Sequence, residues 1–416
     1  MSTFLLRNKA YFISMNFFFL LITNFISSLG DYIYQVGIIV YLYTETDSAA
    51  VIGGYFIIQF TSSLILSPII GTFIDRLDKK NILLYTNIIR AVAVGVLLLH
   101  ISTFTIYFVA IILGINEEAF GATQNSIIPE IVSKNQTMKA NSLISAFDSV
   151  NMIIGPALAG ILISIFGING SIIINIVSFL FAAILALFIK LKQNNLMKDT
   201  VLKKNFWNEL KDGLFIIIKN SLVKEVILIW GLLLIGIGAT GSLLIFLLSD
   251  YMKLPSDSYG WAMTAEGMGI VFGSLIILKY KDKFTFQKLI KSGLIIIGVS
   301  LTAIAITSNL IVVLIAYCFT GLSAAAAPLG LRSTLQTRLP KEILGRVFMS
   351  VRFIVTSLRV FSVIAATILI SYVNLRVIYV IAALVILLAG MVSFIVKLDK
   401  REDPLLFGKI QNSKAN

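Results

Sequence analysis

Five carboxylates sit inside stretches that are otherwise almost wholly apolar. Asp31 follows Ser27-Ser28-Leu29-Gly30, Glu117 and Glu118 stand side by side, and Asp148 and Glu266 stand alone. A charge at the centre of a lipid bilayer costs about 3 kcal/mol or more, so such a side chain faces a cavity or a partner. Removal from water favours the neutral acid. A carboxyl group poised between its two forms can take a proton from one side of a membrane and release it on the other. The alternative use is structural: an ion pair that locks helices together, for which Arg90, Arg332 and Arg359 are available as buried counter-charges. Arg90 and Arg359 each lie ten or so residues inside an apolar stretch, and at least one is expected to pair with one of these acids. Glu117 and Glu118 point about 100° apart on a helix, and Glu118 is the preferred member of that pair.

The elements that position these residues follow from composition. The chain has 416 residues, 58% hydrophobic and 13% charged, against roughly 25% charged in soluble domains. A membrane-crossing helix needs about 20 apolar residues, and about twelve such stretches fill most of the chain. They are expected at 12–42, 49–73, 81–101, 104–129, 138–165 and 170–191, then at 222–250, 257–279, 287–307, 309–337, 343–371 and 375–397. The fold class is therefore an all-α polytopic membrane protein. Period-2 alternation is absent, which excludes a membrane β-barrel.

The net charge of +13 does not point to nucleic acid, because the basic residues follow the loops. With the N-terminus inside, Arg7, Lys9, Arg76, Lys79, Lys80, Lys134, Lys139 and the runs Lys190–Lys224 and Lys279–Lys291 all fall on one side. Lysine and arginine mark the cytoplasmic side, so both termini are expected in the cytoplasm of a bacterial cell membrane. The first apolar stretch is read as a retained span, not a cleaved leader. Residues 192–221 join two halves, 1–191 and 222–416. Within that linker Phe206, Trp207, Leu210, Leu214 and Ile217 recur at helical spacing, which predicts an amphipathic helix on the inner leaflet with its lysines toward anionic headgroups. Thr123 and Pro129 recur as Thr334 and Pro340, a faint repeat between the halves. Cys318 is the sole cysteine, so no intramolecular disulfide is possible.

Other chemistry is excluded. There is no Gly-x-x-x-x-Gly-Lys-[Ser/Thr] segment to cradle phosphates, no Cys/His cluster for a metal and no nucleophile–base pair. No cofactor is expected, and transport would draw on an ion gradient, most simply protons. Within the fifth stretch, Gly155 and Gly160 permit close helix approach, and Pro156 frees a backbone carbonyl. Gly269 and Gly273 are read as packing.

The segment Gly71-Thr-Phe-Ile-Asp75-Arg76-Leu-Asp-Lys79-Lys80 lies between two spans. It resembles the Gly-x-x-x-Asp-Arg-x-x-[Arg/Lys]-[Arg/Lys] loop between helices 2 and 3 of the major facilitator superfamily. The loop's counterpart in the second half, Lys279-Tyr-Lys-Asp-Lys283, keeps the basic residues but not the order. Ser28-Leu29-Gly30-Asp31, Ile88-Ile89-Arg90-Ala91, Ile128-Pro129-Glu130-Ile131-Val132, Ala140-Asn141-Ser142-Leu143, Gly155-Pro156-Ala157-Leu158 and Gly345-Arg346-Val347 resemble a branch with macrolide and multidrug efflux proteins and enterobactin-type exporters. Gly155-Pro156-x-x-x-Gly160 is similar to the span 5 element of its drug–proton antiporters. The resemblance implies two six-helix halves, with Gly71, Asp75, Arg76, Lys79 and Lys80 as a conformational latch between them. It implies a proton-driven exporter of amphipathic small molecules, working as a monomer among membrane lipids. A dedicated exporter of one native metabolite is the alternative. A non-transporting membrane partner or sensor is a further one.

Overall fold

The structure is a computed structural model that describes residues 14–74, 78–133, 136–191, 206–280 and 283–396. Among these residues the regular elements are helices: α1 (Met15–Thr46), α2 (Ala49–Ile74), α3 (Lys79–Leu99), α4 (Thr103–Ile131), α5 (Thr137–Leu187), α6 (Phe206–Lys219), α7 (Ser221–Phe246), α8 (Ser258–Lys279), α9 (Phe286–Ile306), α10 (Leu310–Arg338), α11 (Lys341–Leu369) and α12 (Leu375–Ile395). Eleven helical segments are long and apolar enough to cross a membrane. The twelfth expected span, α2, is helical from Ala49 to Ile74, and its described apolar part is the shorter Ala49–Ser62.

Sequence chemistry sets the helix ends. Ser102 and Thr105 form a reciprocal capping box at the start of α4, which satisfies donors that the first turn leaves free. At the starts of α7, α9, α10 and α12, the side chains of Asn220, Thr285, Asn309 and Asn374 each accept from one first-turn N–H. The range α5 holds the fifth and sixth expected spans as two helices separated by a kink at Gly167, whose φ of 62° falls in the region that glycine adopts without steric cost. The backbone stays helical through Pro156. A short π-helical turn, Leu247–Tyr251, follows α7.

Two compact units result. One is α1 up to Ile38, the end of α2 from Ile65, and α3 to α5. The other is Ile39–Leu64 together with α6 to α12. The division therefore differs from a single cut in the linker, because the far ends of α1 and α2 pack with the second unit. Gly53 lets α2 lie against Thr367 of α11, the Tyr43 hydroxyl donates to Asp250 beyond α7, and the Arg359 guanidinium stacks on Phe60 of α2 at 4.1 Å.

In the first unit Phe17, Leu20, Leu83, Phe120, Ile127 and Ile189 form a core where α1, α3, α4 and α5 meet at their basic ends. Asn16 ties that end by exchanging hydrogen bonds with the Lys190 backbone at 2.6 and 3.0 Å. Outward faces carry exposed Val92, Phe108, Val177, Phe272, Leu278 and Phe361. An apolar surface of this extent suits lipid.

The linker helix forms where helical spacing predicts it, and one face of it packs on protein while Phe215 and Ile218 are exposed. Gly213 of α6 lies so close to α11 that a methyl group there would overlap Ser350 Oγ and crowd the Arg346 carbonyl. Asp212 pairs with Arg346 at 3.6 Å. Ile216 and Ile217 are buried, whereas Lys211 and Lys219 are exposed.

Candidate functional site

In the first unit the site is built on Arg90 of α3, which is 3% exposed. Its Nη1 lies 3.7 Å from Asp31 Oδ2 on α1 and 3.3 Å from Ser27 Oγ one turn earlier. Its guanidinium carbon is 5.4 Å from the ring centres of both Phe120 on α4 and Phe179 on α5. Arginine over an aromatic face gains electrostatic attraction, more so away from water. The Asp31 side chain is 40% exposed, so the pair has a dry partner and a wet one. Asn175 lies beside the Asp31 carboxylate, and the Glu117 charge on α4 also reaches it.

Small residues let α1 seat this acid. A side chain at Gly30 would overlap Ser178 Oγ and crowd Asn175, and one at Gly155 would overlap Tyr32 Cβ. The two glycines thus bring both spans of α5 against α1 on either side of Asp31 in sequence. Gly155 and buried Pro156 lie against α1 beside Asp31, whereas Gly160 has open space around it. One to two turns along, Asn24 Nδ2 donates to Asp148 Oδ1 at 2.8 Å, and Asn151 Nδ2 donates to the Phe25 carbonyl at 2.9 Å. Asp148 is therefore tied to α1, on the same helix as Asp31.

The second unit holds a matching arrangement. Glu266 of α8 and Arg359 of α11 interact electrostatically, with the arginine stacked on Phe60. Tyr259 and Tyr317 face the Glu266 charge, and Tyr379 donates from its hydroxyl to the Thr240 carbonyl at 2.8 Å. Tyr55, Tyr259, Tyr317 and Tyr379 are all 5% exposed or less. The α8–α10 crossing fixes the acid, because a methyl group at Gly321 would overlap the Glu266 carbonyl oxygen and one at Gly269 the Cys318 carbonyl oxygen.

Several expected residues fall elsewhere. Arg332 is exposed, not buried: its neighbours Leu331, Thr334 and Leu335 form the buried face of α10, and Arg332 points about 100° from Leu331. Of the adjacent glutamates, Glu117 is the one whose charge reaches Asp31. Glu118 is half-buried on the next position of α4. In the loop after α2, Asp75 and Arg76 lie outside the described residues, and Gly71 lies in the last turn of α2. Lys79 pairs with Glu130 of its own unit at 2.5 Å, while Lys80 donates to the Leu187 carbonyl at 2.6 Å and Asp78 caps α3.

Sequence reasoning missed Ser27, Asn175, Phe120 and Phe179. One signal was present for the first: Asn24, Ser27 and Asp31 recur at spacings of three and four, a polar stripe on an apolar helix. Among the described residues no group of three His, Cys, Asp or Glu could hold a metal ion.

Apolar membrane-crossing helices around paired interior charges define a polytopic membrane transporter. The family model of the Major Facilitator Superfamily matches residues 20–254. The chain is a member of that superfamily, and a transporter rather than an enzyme. Macrolide efflux protein A of Streptococcus pyogenes is 24% identical over 333 residues, covering 78% of this chain and 81% of that one. The staphyloferrin A transporter of Staphylococcus aureus is 22% identical over 307 residues, covering 72% and 76%. Among solved structures, the nucleoside transporter NupG superposes with a TM-score of 0.73 at 12% identity, over 92% of this chain and 100% of that one.

Proposed function

We propose that this chain is a proton-coupled exporter of amphipathic molecules of the macrolide type, working by alternating access across the cell membrane. The observation that carries the reading is the Asp31–Arg90 pair: a half-exposed carboxylate against an arginine that is almost wholly buried. When Asp31 is charged, Arg90 is its partner. When Asp31 takes a proton, the attraction falls away, and Phe120 and Phe179 still hold the guanidinium. A group that changes charge without stranding its counter-ion suits a carrier that must release a proton in each cycle. Glu117 adds a second negative charge near the pair, which favours occupancy by a proton or by a cationic group of the cargo. The basic ends of the helices, with Lys79, Lys80, Lys190 and Lys219, are assigned to the cytoplasm. Asp75 and Arg76 belong to the proposed latch by the family pattern alone.

The similarity to macrolide efflux protein A supports this choice of cargo. A dedicated exporter of one native metabolite is the second reading, favoured by the similarity to the staphyloferrin A transporter. The experiment is a panel of macrolides and cationic dyes in an efflux-deficient host, with and without a protonophore, and with Asp31→Asn in parallel. The expected outcome is resistance that the protonophore and Asp31→Asn each abolish at equal protein level. Resistance unchanged by Asp31→Asn would remove that residue from coupling, and resistance to no drug in the panel would favour the dedicated exporter.

A further inference from the structure

We propose that Glu266 is a second proton-carrying group, so that each unit carries one and a full cycle moves two protons. The inference rests on the proton-antiport reading above.

The two units repeat one device with different helices. Asp31 and Glu266 belong to different units, and each faces a single arginine from another helix. Arg90 is buried and Arg359 half-buried, and both lie over aromatic rings, Arg90 over Phe120 and Phe179, Arg359 over Phe60. In both, Nε is buried with no hydrogen-bond partner. A buried arginine held by a carboxylate alone would be left uncompensated when that carboxylate was neutralised. The aromatic face gives each guanidinium a second place to rest, so the acid is free to change its charge. A pair that served only as a fixed clamp would not need such a rest position. Among the ion pairs described, none joins Glu266 and Arg359 within 4 Å.

The groups facing Glu266 suit both of its forms. Tyr259 comes from its own helix, Tyr317 from α10 and Arg359 from α11. Tyr55 of α2 and Tyr379 of α12 adjoin these tyrosines. Of these groups only Glu266 and Arg359 carry formal charge near neutral pH. A tyrosine hydroxyl can donate to a carboxylate and accept from a carboxylic acid, so the polar groups near Glu266 are compatible with either of its forms. The lack of a side chain at Gly321 lets α10 approach the Glu266 backbone closely. Around Asp31 the corresponding groups are Arg90 of α3, Glu117 of α4 and the Asn175 amide of α5.

The test uses the full chain in liposomes, with the membrane potential clamped by potassium and valinomycin. Ethidium serves as the probe because it is permanently charged and carries no proton itself. A trapped pH dye counts protons moved per ethidium moved. The expected ratio is two in the wild type, halved in Glu266→Gln and restored in Glu266→Asp. A wild-type ratio of one, or a ratio unchanged in Glu266→Gln, overturns the inference and leaves antiport standing. Ethidium movement with no counter-moving proton, or no ethidium movement at all, overturns the antiport reading for this probe. Should Glu266→Gln be inactive, infrared difference titration of the wild type, Asp31→Asn and Glu266→Gln in nanodiscs decides. Two separate protonated-carboxyl bands are expected, each lost in one variant. No band that depends on Glu266 overturns the proposal.

Discussion

Arg90 concentrates the polar interior of the first unit on one side chain, since it touches α1, α4 and α5 from its seat on α3. Breaking a buried pair by removing one partner costs about 3 kcal/mol, so Arg90→Ala is expected to lower the melting temperature of the purified protein by several degrees. Arg90→Lys should recover little, because an ammonium lacks the planar face that stacks on two rings. The double variant Asp31→Asn with Arg90→Ala should be less destabilised than the sum of the singles, a non-additivity that thermal melts of all four proteins would reveal. The acids and arginines were legible in the sequence because charge is rare in apolar spans. Their partners were not. Phenylalanine and asparagine are unremarkable in a membrane helix, and only proximity makes Phe120, Phe179 and Asn175 special. Glu117 and Glu118 illustrate the same limit: adjacent positions share every sequence property except which face of α4 they occupy. Arg332 was misplaced for the opposite reason, since depth along a helix says nothing of direction around it.

Helix packing depends on a few glycines, and they are not equivalent. At the α8–α10 crossing, Gly269 and Gly321 meet backbone carbonyls that cannot move aside, and Gly273 meets the Leu322 backbone. Gly321→Ala is therefore expected to reduce folded protein severalfold, measured as monodisperse yield by fluorescence size-exclusion chromatography. Gly160→Ala, with open space at that position, should change yield and melting temperature little, within about 0.5 kcal/mol. The pair Gly269 and Gly273 was legible as a small-residue packing motif. Gly321 was not, because it has no second glycine four residues away to mark the packing face. The chain turns at Gly167, between the expected spans 138–165 and 170–191, where φ is positive, whereas the backbone stays helical through Pro156. Proline in a long membrane helix is tolerated when neighbours satisfy the freed groups, whereas a left-handed residue between two spans admits few alternatives to glycine.

At the scale of the whole chain, hydropathy and basic-residue placement made the span count and fold legible, because a bilayer imposes both length and polarity on every element. The proposed orientation predicts that green fluorescent protein fused after Asn416 will fluoresce, and that alkaline phosphatase at the same place will be inactive. The reverse pattern would put the C-terminus outside. The allocation of Ile39–Leu64 to the second unit could not be read from hydropathy. It arises from contacts such as Gly53 with Thr367 and Tyr43 with Asp250, whose partners lie hundreds of residues apart in sequence.

The seat of α6 on α11 settles where this gene can be divided. Gly213 against Ser350 and Asp212 against Arg346 make Phe206–Lys219 part of the second polypeptide's architecture rather than slack between two parts. Two co-expressed fragments that break anywhere within 192–205 keep that helix joined to its partner and are expected to reassemble into a working carrier. A break after Lys219 attaches the helix to the wrong fragment. Reassembly must then recover α6 by collision in place of covalent tethering, and recovered activity should fall severalfold at matched expression.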